Sequence, residues 1–147
     1  MDKLPPGRLR MFVVIVAASL TLDLWTKQAA FASLGLGGHT DWMLNSWIRF
    51  RLQTNLNRGA LWGMGQGFAP AFAALSVVAF LGILYWLFVR KAATSLWLTI
   101  ALAFVSGGTL GNLYDRLGLH GVPLPGENEP ALAVRDFFHF QIGRAHV

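Results

Sequence analysis

Gly107-Gly108-Thr109-Leu110-Gly111-Asn112-Leu113-Tyr114-Asp115-Arg116 closes an apolar run that begins at about residue 95. The stretch places an amide, a carboxylate and a guanidinium at the end of a segment of about 20 residues, the length a helix needs to cross a hydrocarbon core of about 30 Å. Charged groups at such a boundary cost several kcal/mol unless they are paired or wetted, so they are functional suspects by default. A second carboxylate follows in Val134-Arg135-Asp136-Phe137. Two acids, an Asn and an Arg brought together there would make a site.

The rest of the composition fits a membrane protein. The chain has 147 residues, enough for one domain, with 54% hydrophobic and 13% charged residues. It has no cysteine, which excludes disulfides, thiolate chemistry and Cys-based metal sites. The net charge of +5 is spread over basic residues that mostly flank apolar segments. There they set topology rather than bind nucleic acid, and no groove-reading motif is present.

Two further segments are long enough to span. The first covers about residues 11–31 and is interrupted by Asp23 and Lys27; the other, about 68–89, is uncharged and ends at Arg90-Lys91. With the run at 95–114 this predicts a membrane α-helical protein with three transmembrane helices. Lys3, Arg8 and Arg10 precede the first span, and Arg90-Lys91 separates the second from the third. The positive-inside bias puts both groups in the cytoplasm, so the N-terminus is inside and residues 32–67 and 115–141 are outside. Asp23, Lys27, Asn57, Asp115 and Asp136 then all fall towards the outer face. A cleaved signal peptide would have a shorter, uncharged core, so Asp23 and Lys27 favour a retained first helix. At i and i+4 those two share a face and can pair.

Residues 32–67 are punctuated by glycines, and Trp47-Ile48-Arg49-Phe50-Arg51-Leu52 alternates apolar with charged residues. That pattern predicts strands. Trp42, Trp47 and Trp62 suit a membrane interface, so a small β-rich unit lying on the outer leaflet is expected. Residues 115–141 are expected to be an outer loop, Gly- and Pro-rich up to Arg135, with Glu127 and Glu129 exposed.

Several chemistries remain open from the residues alone. Asp115 and Asp136 can form an acid and base pair, in which one carboxyl holds a proton while the other activates water. Equally, Asp115 can simply pair with Arg116, and Asp136 with Arg135. Asn112, one turn before Asp115, can position a substrate carbonyl or make a helix contact. Gly107, Gly108 and Gly111 read as close helix packing. Asn57 can bond an extended peptide or cap its own turn. His39, His120, His139 and His146 show no ligand spacing, so no metal and no cofactor is expected.

Taken together, four motifs make the chain resemble the lipoprotein signal peptidases (signal peptidase II). They are Asp23-Leu24-Trp25-Thr26-Lys27, Asn57-Arg58-Gly59-Ala60-Leu61-Trp62-Gly63, residues 107–116, and Val134-Arg135-Asp136-Phe137. The resemblance covers nearly the whole chain. It implies four transmembrane helices with a small outer sheet, and an aspartyl endopeptidase that cuts prolipoproteins before a diacylglyceryl-modified cysteine. It also implies a multi-pass protein of the bacterial cytoplasmic membrane, monomeric, whose partners are that substrate and the membrane lipids. Asp136 maps to one catalytic carboxylate. Asn112, Asp115, Arg116, Asp23 and Asn57 map to supporting positions. The second catalytic Asp belongs to a Phe-Asn-x-Ala-Asp motif in a fourth helix, which these residues do not contain.

Ile142-Gly143-Arg144-Ala145-His146-Val147 matches the translation of a common sequencing adapter. The expectation is therefore that the natural protein continues beyond about Gln141, and that this chain is inactive with half of its dyad. The rival reading is a non-catalytic membrane protein, such as an assembly factor or transporter subunit. It accounts for three spans but not for four motifs in family order.

Overall fold

In the computed structural model, which describes residues 4–43, 48–59 and 67–143, three long apolar helices carry a two-stranded sheet at one end. Helix α1 runs Arg8–Leu34, α2 Ala69–Leu84 and α3 Leu96–Arg116; strand β1 is Ile48–Asn57 and β2 is Val134–Ile142. By length and composition α1, α3 and the α2 segment through Val89 can each cross a membrane. The apolar runs thus mark all three helices, but α1 outlasts its run at both ends. It stops where Gly35, at φ 70°, turns the chain and donates its N–H to Phe31 O at 3.0 Å.

Helix α2 opens with Pro70 in its first turn, where a missing N–H leaves no bond unmade. It ends in a π-helical turn, Tyr85–Val89, with Arg90 N–H donating to Tyr85 O at 3.0 Å. A 3-10 turn, Ala92–Thr94, reverses the chain, and Ser95 Oγ caps α3 by accepting from Leu98 N–H. So short a link makes α2 and α3 antiparallel neighbours. Helix α3 packs on both of the others.

The two ends of the helix layer differ. At the α2–α3 turn, Phe12, Val16, Leu87, Ala93 and Ala103 form a buried apolar cluster. Phe12 meets Phe88 edge-on at 5.4 Å, and Arg8 Nε donates to Ala93 O at 3.0 Å. Arg8 and Arg10 therefore lie at the same end as Arg90-Lys91, while Lys3 lies outside the described residues. At the other end Phe31, Leu56, Ala131 and Ala133 seat the sheet and its loop on the helices. Between the ends, Val13, Val14, Leu22, Trp25, Leu75, Val78, Leu81, Phe104 and Val105 are exposed. So much outward apolar surface fits a lipid environment rather than water.

Gly107 and Gly111 line the α1–α3 seam. A methyl group on residue 107 would lie 2.9 Å from Ser19 Cβ and 3.1 Å from the Leu20 nitrogen, and one on residue 111 would meet Asp23. Close packing explains both. It does not explain Gly108, which faces open space. One residue on, the helix has turned roughly 100°, and Gly108 borders a groove instead of the seam.

Strand β1 confirms the alternation read at residues 48–52, and β2 corrects the outer loop expected over 115–141. Residues 134–142 are rich in aromatic and β-branched side chains that favour a pleated ribbon, so the loop proper is 117–133. The strands pair antiparallel, with Ile48 opposite Ile142, Phe50 opposite Phe140 and Leu52 opposite Phe138; a bulge follows, and Asn55 then faces Asp136. Isolated bridges from His39 to Gln53 and Met43 to Phe50 extend the sheet. Buried Thr54 ties it to the end of α1, its Oγ1 donating to the carbonyls of Gly35 and Gly38. Trp42 meets His139 at a tilt of 60° with centroids 5.4 Å apart and lies beneath Arg51. Trp47, Trp62, residues 60–63 of the Asn57 motif, His146 and the last four residues lie outside the described residues.

Candidate active site

Where α1, α3 and β2 meet, the seam is polar. Lys27, buried on α1, points its ammonium at three acceptors: Asn112 Oδ1 at 3.0 Å, Asp23 Oδ2 at 2.8 Å and Asp115 Oδ2 at 3.1 Å. The contact with Asp23 is an ion pair rather than an aligned hydrogen bond. Asp115, fully buried on α3, also accepts from Arg135 twice, from Nε at 2.9 Å and from the backbone N–H at 3.0 Å. Arg135 Nη1 then donates to Gln28 Oε1 at 3.1 Å, back on α1. Two acids and two bases balance in charge. Each charge has a partner, which is the condition for burying it.

Asp136 lies one residue on and faces the other way. Its Oδ2 accepts from Asn57 Nδ2 at 3.1 Å, while Asn57 Oδ1 accepts from the Gly59 N–H at 2.9 Å. Asn57 therefore caps its own turn, as its sequence position allowed, and also holds a carboxylate, which the sequence did not offer. Burial pushes the Asp136 carboxyl above its ordinary value. The Asn57 hydrogen bond and the charges of Lys27 and Arg116 oppose the rise, and the charge of Asp115 adds to it. Arg116 Nη2 reaches Gly59 O at 3.5 Å, and its guanidinium lies 5.6 Å from the Phe72 ring.

Asp136 borders a groove of about 570 Å³ between α1, α3 and β2. Leu22, Phe104, Phe137 and Phe138 supply apolar wall, and Asp23, Lys27 and Asn112 supply polar floor. Gly108 keeps one side of it open. A half-buried carboxyl beside an apolar groove is placed to exchange a proton with a bound water.

The sequence-derived candidates thus fall into two groups. Asp23, Asn112 and Asp115 gather around Lys27, whereas Asn57 and Asp136 meet across the sheet, with Arg116 close by. Asp115 does not pair with Asp136 as acid and base, because its oxygens are taken by Lys27 and Arg135. Nor does it pair with Arg116, the neighbour the sequence offered. Gln28 escaped the sequence reading, and Arg135, offered there as a partner of Asp136, pairs with Asp115 instead. Once residues 134–142 are known to be a strand, alternation alone sends Arg135 away from Asp136 and into the seam.

His120 fixes the start of β2. Val122 N–H donates to its Nδ1 at 2.9 Å, so the proton sits on Nε2, which donates to Ala133 O at 3.2 Å. Burial holds its pKa below the usual histidine value.

The model of the signal peptidase (SPase) II family matches residues 15–147. The chain belongs to that family. A lipoprotein signal peptidase of Rhodopirellula baltica is 43% identical over 140 residues, covering 93% of this chain and 61% of that protein. One from Mycobacterium leprae is 33% identical over 123 residues, covering 84% of this chain and 58% of its own length. The chain therefore spans about three fifths of these two relatives. A solved bacterial membrane enzyme superposes with a TM-score of 0.70 at 20% identity, over 90% of this chain and 71% of that one. That likeness shows the fold.

Proposed function

We propose that this chain carries one half of the catalytic centre of a lipoprotein signal peptidase, with Asp136 as a reacting carboxylate. The observation that carries the reading is the half-buried Asp136, oriented by Asn57 beside an apolar groove, in a chain of this family. The substrate is a prolipoprotein, cut before its diacylglyceryl-modified cysteine. The second carboxylate comes from outside the described residues, since Asp115 is committed to Lys27 and Arg135.

In the two-acid mechanism a carboxylate takes a proton from water as its oxygen attacks the scissile carbonyl carbon. The other carboxyl protonates the carbonyl oxygen. Collapse of the tetrahedral intermediate breaks the C–N bond, and the amine leaves with a proton. Asn57 orients Asp136, and Asn112 and Asp23 serve the groove through Lys27. Arg116 steadies the charge that develops on Asp136.

The protein lies in the bacterial cytoplasmic membrane as a monomer with its N-terminus in the cytoplasm. Its sheet rests on the outer leaflet, where the exposed Ile48, Phe138, Phe140 and Ile142 meet lipid. Cleavage of a diacylglyceryl-modified prolipoprotein peptide by the reconstituted 147-residue chain tests the reading. No turnover is expected from this chain. The source gene read past codon 147 is expected to give turnover that Asp136→Asn abolishes. Turnover by the 147-residue chain itself would remove the external carboxylate. Turnover surviving Asp136→Asn would remove Asp136, and a read-through product that never cleaves would favour the non-catalytic rival.

A further inference from the structure

Arg135 is 2% exposed, an unusual place for a guanidinium beside a reacting carboxylate. Its side chain and that of Asp136 leave β2 on opposite faces. We infer, taking Asp136 as the reacting group, that Arg135 is a positioning residue: a clamp that fastens the strand carrying Asp136 to α1 and α3 together.

The clamp has three points. Asp115 holds Arg135 by its backbone N–H at 3.0 Å and by Nε at 2.9 Å, closing a ring that fixes backbone and side-chain torsions at once. Nη1 reaches Gln28 Oε1 at 3.1 Å on the other helix. The next Cα is about 3.8 Å away along a rigid peptide, so a shift at residue 135 passes to Asp136 almost undiminished. Neutralising Asp115 needs a single cation, and Lys27 already stands 3.1 Å from it. What Arg135 adds is a planar fork that spans two helices. A lysine ammonium there keeps the charge but cannot meet Asp115 and Gln28 along fixed, separate directions.

The groups acting on Asp136 are Asn57, Lys27, Arg116 and Asp115, so its titration reports its position among them. The experiment is NMR of the 147-residue chain in detergent micelles, with carboxyl-¹³C aspartate and ¹⁵N asparagine. Asp136→Asn and Asn57→Ala assign the two signals. In the wild type, the Asn57 side-chain amide signal follows the titration of Asp136. In Arg135→Lys and in Gln28→Ala the helical circular dichroism is expected to persist. The Asp136 midpoint then falls towards the ordinary carboxylate value, and the Asn57 signal loses its pH dependence.

An Arg135→Lys protein that titrates as wild type, with Asn57 still following, overturns the clamp and leaves Arg135 a mere counter-charge. Should Arg135→Lys fail to fold, Gln28→Ala decides alone, because it leaves the Asp115–Arg135 ion pair in place. An unmoved Asn57 response there also overturns the clamp. In a cleaving form of the enzyme, Arg135→Lys lowers kcat and leaves KM within about twofold, since a misplacement of about 1 Å costs on the order of a hundredfold in rate. The NMR needs no substrate. A cleaving Asp136→Asn enzyme therefore removes the functional reading, whereas an unmoved Asn57 signal removes the clamp.

Discussion

Asp115, fully buried, pairs with Lys27 and accepts twice from Arg135, whereas Asp136, half-buried on the neighbouring strand, accepts from Asn57 and borders an open groove. Both are carboxylates of one motif-rich end of the molecule. The difference lies in how their oxygens are used. At Asp115 the cationic partners lock two helices to a strand. At Asp136 burial outweighs its partners, so the proton is easier to keep. Of two acids side by side at one end of the helix layer, the saturated one ties elements together and the other is left facing a groove.

The sharpest way to break that contrast is to neutralise each acid in turn. Asp115→Asn leaves Lys27 and Arg135 with Asp23 as the remaining acid of the network, and is expected to cost about 3–5 kcal/mol, the usual penalty for removing one partner of a buried pair. Asp136→Asn is expected to leave stability unchanged or slightly higher. Unfolding in mixed micelles by SDS titration measures both. Equal losses would dissolve the distinction between the two carboxylates.

The glycines offer a second test of which side of α3 is committed to packing. Gly107→Ala drives a methyl group into Ser19 and the α1 backbone and should cost about 1–3 kcal/mol in the same titration. Gly108→Ala meets nothing within 4 Å and is expected to be neutral, or to gain up to about 1 kcal/mol from helix propensity. A costly Gly108→Ala would mean that the groove is packed rather than open.

Acid–base behaviour sharpens the comparison further. The Asp136 carboxyl titrates higher in the fold than in the unfolded chain, so the native state binds more protons across that window. Stability is then greatest below the ordinary carboxylate value and declines as pH rises through it to the raised value. Asp136→Asn should flatten that decline in unfolding curves taken across the carboxylate range. A decline that persists in the variant would assign it to another acid. The smallest effect belongs to Arg58 and Glu127, paired at 3.3 Å with side chains 43% and 50% exposed. Glu127→Ala should change stability by less than about 1 kcal/mol, as solvent screens such pairs.

Much of this was legible in the chain because membranes simplify patterns. Uncharged runs near 68–89 and 95–114 allow little besides helices, and the i, i+4 spacing of Asp23 and Lys27 announced their pair. Residues 48–52 alternate cleanly and read as a strand. Residues 134–142 do not, because consecutive Phe137 and Phe138 blur the period and Arg135 stands where a buried side chain belongs. That one strand decides which acid does what. Without it, Asp115 and Asp136 look like natural partners, and Gln28 has no visible purpose. Long-range pairing across the fold, from α1 to β2, leaves no local trace for a sequence to show.

Lys27 has two carboxylate neighbours of different origin, Asp23 within its own helix and Asp115 from another. The first is present as soon as α1 is synthesised; the second arrives about eighty residues later. The apolar stretch 11–31 of a nascent α1 therefore carries an internal zwitterion and is formally neutral before any other helix exists to receive it. Biogenesis then becomes an exchange of escorts, in which the local acid accompanies the lysine into the bilayer and the distant one joins it when the bundle closes.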